Sequence, residues 1–275
     1  MLWNKAIGAG AAGAAGGAGG SSWDISAAVL VDSFSVASKE ASPTSVFFKP
    51  DGTKMYVTGF AGDDVNEYNL GAPWDVSSAV YLQSLFFGSS ATIPRATKFN
   101  PDGTKMYVLD AQLDRVSEFD VSTAWDVATA TLNQKSASVF LEESNPWDMF
   151  FKPDGTKMYL VGDSGDEVNE YDLGTPWNIS TLTYLQNFSI AGEASKPRGV
   201  FFKPDGTKMY MVGDTSEVYQ YNLATAWDVS SAAYLQNFGT SAQELYVRDV
   251  FFKPDGTKMY LVGFVGVNVL EYDVG

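Results

Sequence analysis

From residue 43 onward, apolar positions fall in short runs separated by polar, turn-forming clusters. Ser45–Lys49 (SVFFK) is apolar on both faces and predicts a strand buried on both sides. The PDGT that follows is a turn: proline presets φ, aspartate bonds its own backbone, and glycine accepts φ > 0. Lys54–Thr58 (KMYVT) predicts a second strand and Val65–Leu70 (VNEYNL) a third, half exposed. After a Pro-Trp-Asp turn, Ala79–Phe86 (AVYLQSLF) predicts a fourth, outer strand.

This unit recurs. PDGTKMY stands at Pro50–Tyr56, Pro101–Tyr107, Pro153–Tyr159, Pro204–Tyr210 and Pro254–Tyr260, at spacings of 51, 52, 51 and 50 residues. A fixed period of this size with strand-like segments signals a β-propeller. Four strands in each of five repeats predict an all-β, five-bladed β-propeller with four-stranded antiparallel blades. The last repeat stops at Val274–Gly275, after its third strand, and the missing pieces stand upstream, as Trp23-Asp24 followed by Ala27–Val36. The N-terminal strand is therefore expected to join the last blade and close the ring, which removes an exposed edge. Residues 23–275 form one propeller domain on this reading, preceded by a Gly/Ala-rich segment, 1–22.

Repeated residues are expected to be structural, because each blade needs them. The PDG aspartates form turns. Trp74, Trp125, Trp177 and Trp227 supply packing indoles followed by capping residues (Asn178 in one case), and Met55, Met106, Met158, Met209 and Met259 fill the core between blades.

Function is sought where the repeats differ. If the first strand of each blade runs from an upper face to a lower one, the residues just before it line the upper mouth of the central channel. They read Pro43-Thr44-Ser45, Pro94-Arg95-Ala96, Pro146-Trp147-Asp148, Pro197-Arg198-Gly199 and Val247-Arg248-Asp249. Arg95, Arg198, Arg248, Trp147, Asp148 and Asp249 are the candidate ligand site. Arginine binds carboxylates bidentately and tryptophan stacks on sugar faces, so an acidic sugar or peptide carboxylate is the expected ligand. The alternative is that the arginines pair with Asp148, Asp249 or acids of the neighbouring loops. Those loops carry Asp63-Asp64, Asp110 with Asp114, Asp163 with Asp166-Glu167, and Asp214 with Glu217. None has the spacing of a calcium loop, so no metal or cofactor is expected.

Composition narrows the chemistry. The chain has no cysteine and no histidine, which excludes disulfides, Cys/His zinc sites, Ser-His-Asp triads and histidine bases. Its net charge of −15 argues against nucleic-acid binding. Residues 1–22 (MLWNKAIGAGAAGAAGGAGGSS) hold seven of the 26 glycines, with Lys5 the one charge. The segment is too weakly apolar for a signal peptide or a membrane span. It reads as a linker or as a slender anchor whose Leu2, Trp3 and Ile7 dock into partner subunits. Phe60 and Phe264, at loop positions where other blades are small or polar, are further candidates for partner contact.

The pattern of PDGTKMYV after an apolar strand, with VNEYNL or VYQYNL before the next turn, resembles YVTN-type propeller repeats across residues 23–275. That resemblance implies the fold and leaves activity open between surface proteins, lactonases and binding platforms. The FKPDGTKMY…EYDL…PWDVSSA version with its Gly/Ala leader is similar to repeat proteins of tailed bacteriophages, which implies a virion or tail-associated component. Lactonase-like enzymes of related folds use metal ligands that include histidine, which this chain lacks. The expectation is thus a non-enzymatic virion surface protein, bound to other virion proteins through residues 1–22, oligomeric on the particle and displaying its propeller for decoration, host attachment or binding of host-surface glycan. An extracellular lectin-like module is the alternative, and a carboxylate-dependent glycosidase the remaining one.

Overall fold

The computed structural model describes residues 22–275, and the anchor residues Leu2, Trp3 and Ile7 lie outside the described part. Twenty strands form five four-stranded antiparallel sheets. Blade one is β2 (Pro43–Phe48), β3 (Lys54–Gly59), β4 (Asp64–Leu70) and β5 (Ala79–Phe86). Blade two is β6 (Pro94–Phe99), β7 (Lys105–Asp110), β8 (Arg115–Val121) and β9 (Ala130–Ser138). Blade three is β10 (Pro146–Phe151), β11 (Lys157–Gly162), β12 (Glu167–Leu173) and β13 (Leu182–Ser189). Blade four is β14 (Pro197–Phe202), β15 (Lys208–Gly213), β16 (Glu217–Leu223) and β17 (Ala232–Gly239). Blade five is β18 (Val247–Phe252), β19 (Lys258–Gly263), β20 (Asn268–Asp273) and, from the other end of the chain, β1 (Val29–Ser35).

The closure read from the sequence is present. β1 lies antiparallel on β20, from Val29 opposite Asp273 to Ser35 opposite Asn268. The innermost strands begin at the proline or valine two residues upstream of the apolar run, and the pairing shifts register just after that residue in every blade.

Each blade is locked to the next by the same bonds. The Trp of the Trp-Asp turn sits in the left-handed region (φ 60 to 72°), where its N–H reaches the carbonyl of the PDG glycine and its indole covers that glycine. A Cβ at Gly52 would lie 2.3 Å from the Trp74 ring, and Gly52 itself has φ +73°. Two independent facts thus require glycine at this turn. The Trp carbonyl accepts a hydrogen bond from the PDGTKMY tyrosine of the preceding blade: Tyr56 to Trp125, Tyr107 to Trp177, Tyr159 to Trp227, Tyr210 to Trp23 and Tyr260 to Trp74, all at 2.6–2.7 Å. The Asp or Asn after each Trp caps a single 3-10 turn, as Asp75 does by accepting from the Ser77 N–H. A strand-three carboxylate then crosses to the next blade: Glu67 accepts from the Val127 N–H and Glu271 from the Val76 N–H. In blade four Gln220 takes this position and bonds the N–H of Ile25 and the carbonyl of Trp23. The methionines are buried between blades, as expected.

Candidate functional site: the arginine-ringed mouth

The five inner strands converge on the channel axis, so residues far apart in sequence become neighbours in layers. In the uppermost layer the Trp147 indole lies between two guanidiniums, with Arg95 3.7 Å and Arg198 3.8 Å from its ring centroid. Two cations that close to one ring must occupy opposite faces. Arg248 stands 5.0 Å from the same ring and 4.6 Å from Phe264, and Arg95 also lies 5.1 Å from Phe60. Phe60 and Phe264 therefore wall the mouth beside arginines. The expectation that Trp147 offers a face to a sugar is corrected, because guanidiniums cover both faces.

Carboxylates of the neighbouring loops enter this layer. Asp163 is 2.6 Å from Arg198, and Asp214 is 3.4 Å from both Arg198 and Arg248. The short Arg198–Asp163 contact is poorly aligned for hydrogen bonding, which leaves Arg198 Nη1 and Asp163 Oδ1 without a directed partner. Asn145 Nδ2 donates to the other Asp163 oxygen at 2.9 Å. Among the described residues Arg95 has no carboxylate within ion-pair distance. Burial, followed by repulsion from Arg198 and Arg248, pushes its guanidinium down to about 10. The Nε atoms of Arg95, Arg198 and Arg248 and the Nε1 of Trp147 are buried without partners. Buried donors are normally satisfied, so this layer is short of acceptors.

Asp148 and Asp249, expected at the rim, lie one layer deeper with fully buried side chains. Lys98 reaches them from blade two, at 2.9 Å from Asp148 and 3.4 Å from Asp249. Asp148 accepts from the Val200 N–H, and Asp249 from the Val46 N–H and the Ser45 hydroxyl. The group staples blades three, four, five, one and two around the axis. Burial and the neighbouring Asp249 hold the Asp148 carboxyl well above the usual carboxylate range, against the pull of Lys98. Burial opposes the Lys98 charge, but the two aspartates outweigh it and hold the ammonium above its ordinary value. Lys98 was missed in the sequence, although it is the one residue that departs from phenylalanine at this repeat position (Phe47, Phe150, Phe201 and Phe251 elsewhere).

Other acids of the upper face have structural duties. Glu40, Glu143 and Glu244 are buried and accept loop N–H groups, as Glu244 does from Tyr246, Val265 and Gly266. Asp110 does the same for Thr92, Ile93 and Leu113 in blade two, where no such glutamate is present. Among the described residues, no group of three or more His, Cys, Asp or Glu side chains is placed to hold a metal ion. None of their helices is long and apolar enough to cross a membrane.

Comparison with known proteins changes the functional picture. A family model described as lactonase, 7-bladed beta-propeller, matches residues 17–210. No curated protein matches the chain. Similar solved structures include candidate 6-phosphogluconolactonases from Bacteroides fragilis and Bacteroides uniformis. Each is 15% identical and covers 84% of this chain, with TM-scores of 0.51 and 0.53. This chain spans 65% and 66% of their lengths. A functionally unknown protein from Desulfotomaculum acetoxidans is 12% identical, with a TM-score of 0.54 over 84% of this chain and 68% of its own. At these identities the structures show a shared fold. The family match overturns the expectation of a non-enzymatic virion component, since neither a missing histidine nor a Gly/Ala leader excludes membership of an enzyme family. With five blades in place of the seven in the family's description, the chain belongs to the lactonase propeller family.

Proposed function

We propose that the chain is a lactone hydrolase that works at the arginine-ringed mouth on ring esters carrying an anionic group. The observation that supports this reading most directly is the set of arginines with buried, unpartnered Nε atoms beside two partly exposed carboxylates, in a chain of the lactonase family. Ester hydrolysis needs donors for the oxygen that becomes negative and a base for the attacking water. Arg95 and Arg248 supply donors in a partly desolvated site. Asp214, held loosely at 3.4 Å by two arginines, is placed to take a proton from water. Water adds to the carbonyl carbon, the ring C–O bond breaks, and the products are a carboxylic acid and an alcohol within one molecule. Trp147 is a positioning residue here, because its ring packs against both Arg95 and Arg198. The histidine-containing metal sets of related enzymes do not fit this chain, which has no histidine.

The test is hydrolysis of glucono-δ-lactone and its 6-phosphate, followed by alkali uptake at constant pH. Acceleration above the spontaneous rate is expected, with preference for the phosphorylated ring. Arg95→Ala should lower kcat/KM by about 10²-fold or more, the usual cost of losing one oxyanion donor. A wild-type chain that accelerates neither reaction would overturn the proposal.

A further inference from the structure

The opposite end of the channel is a separate cavity of a different kind. Below the Lys98 layer lies an apolar funnel of 270 Å³, open on the face that carries the PDGT and Trp-Asp turns. Four of the five blade junctions are built alike around it. An inner-strand phenylalanine stacks on the indole of the next blade's Trp-Asp turn: Phe47 on Trp125, Phe150 on Trp227, Phe201 on Trp23 and Phe251 on Trp74, with centroids 6.3–6.4 Å apart and planes within 14–23°. At the fifth junction the pattern breaks. The inner-strand residue there is Lys98, and its ammonium turns away from the funnel to Asp148 and Asp249. Trp177, the indole that a phenylalanine at 98 would cover, keeps Phe151 at 5.6 Å and Tyr107 at 6.1 Å. Among the described residues it has no inner-strand ring stacked on it, and it lines the funnel. Two residues along from Lys98, Asn100 replaces the lysine that the other repeats carry at that position (Lys49, Lys152, Lys203 and Lys253). Asn100 is buried and lines the funnel too, so both departures fall on the wall that blade two presents.

We propose that the funnel is a binding site for a small, neutral, flat aromatic molecule that stacks on Trp177 and takes the fifth place in the aromatic pattern. Size, lining and charge set that class. An apolar cavity of about 150 Å³ accommodates benzene, so this one has room for two fused rings. Its wall is almost entirely aromatic and prolyl, and aromatic rings prefer the offset stacking that the other four junctions display. Lys98 is the one charged residue among those that line it, and two aspartates already meet its charge. An anionic ligand would find no free cation there, and a cationic one would face an ammonium. Either would be buried without a partner, which a neutral ring avoids.

The test uses the full chain labelled with 5-fluorotryptophan, with indole as the probe. Loss of one ¹⁹F resonance in Trp177→Phe and of another in Trp147→Phe assigns the signals of the funnel and of the mouth. Titration with indole should shift the Trp177 signal in a saturable way and leave the Trp147 signal in place. Benzoate, a charged ring of smaller size, should shift neither through the funnel. A triple variant, Lys98→Phe with Asp148→Ala and Asp249→Ala, restores the repeat's ring and removes the buried charges together, so none is left unpaired. Calorimetry should then read indole binding weakened by about 10-fold or more, because the added ring occupies the surface of Trp177. A Trp177 signal that does not move up to the solubility limit of indole overturns the proposal, as does movement of the Trp147 signal alone. Undiminished binding by the folded triple variant would also sink it. If that variant does not fold, the wild-type titration carries the test by itself, and a Trp177 shift with benzoate as large as that with indole would refute the neutral class.

Discussion

The two ends of the channel are built from the same inner strands and differ in almost every physical respect. The lower end is made of repeated residues: prolines, phenylalanines and the Trp-Asp turns, each copied from blade to blade. The upper end is made of departures from the repeat: three arginines, one tryptophan and unequal carboxylates drawn from different blades. Symmetry gives a container, and its violation gives a charged mouth. Lys98 sits on the border, a departure from the phenylalanine ring that faces upward to serve the charged layer.

That comparison is sharpest at Lys98. Lys98→Met would leave Asp148 and Asp249 buried without a counter-charge, and the loss of a partner from a buried pair costs about 3–5 kcal/mol. Chemical denaturation should show this loss at neutral pH, and it should shrink as the pH falls and Asp148, whose carboxyl burial and Asp249 hold above the usual range, takes up its proton. A uniform loss across pH would break the assignment of Lys98 as their neutralising partner.

The repeated face is expected to be nearly as sensitive, for steric reasons. Gly206→Ala places a Cβ 2.5 Å from the Trp227 ring at a residue with φ +74°. Overpacking and left-handed strain together should cost about 2–4 kcal/mol. The same change at Gly239, which has nothing within 4 Å of its Cβ position, should be close to neutral in parallel melts.

A smaller effect separates Asp148 from the PDG aspartates. Its folded carboxyl titrates above its unfolded one, so it binds more protons in the folded state between those two values. Its contribution is therefore favourable at low pH and is lost as pH rises from about 4 towards the raised value. The PDG aspartates Asp51, Asp154, Asp205 and Asp255 are the opposite case, each pushed down to about 2. Burial opposes their ionisation but is outweighed by the neighbouring lysine and threonine, so their contribution is lost as pH falls from about 4 towards 2. Asp148→Asn should flatten the decline in melting temperature above pH 4 and leave the acid limb unchanged. The smallest change is expected from Lys49→Ala, which removes a partly exposed partner of the half-exposed Asp51 and should cost below about 1 kcal/mol.

Much of the fold was legible because repetition multiplies weak local signals. Five copies of PDGTKMY fix strand, turn and period at once, and the truncated fifth repeat with Trp23-Asp24 upstream shows how the ring closes. The mouth was legible as a set of residues and illegible as an arrangement. Nothing in the order of Arg95, Trp147 and Arg198 says that one indole lies between two guanidiniums, since that depends on how three blades meet. The depth of Asp148 and Asp249 was hidden for the same reason, although the single lysine in a phenylalanine column was a usable sign. Function went astray where a missing residue type was taken to exclude a reaction class, when carboxylates and guanidiniums can serve ester hydrolysis.

The seam of blade five also has a mechanical meaning. Because β1 and β20 are antiparallel, Val29 lies opposite Asp273 at one end of the pairing and Ser35 opposite Asn268 at the other. Force applied between residues 23 and 274 therefore loads the Val29–Asp273 end first and parts the strands one bond at a time, as a peel and not a shear. A ring that distributes heat over five equivalent interfaces should yield to tension at one of them, at low force, with the other blades still folded.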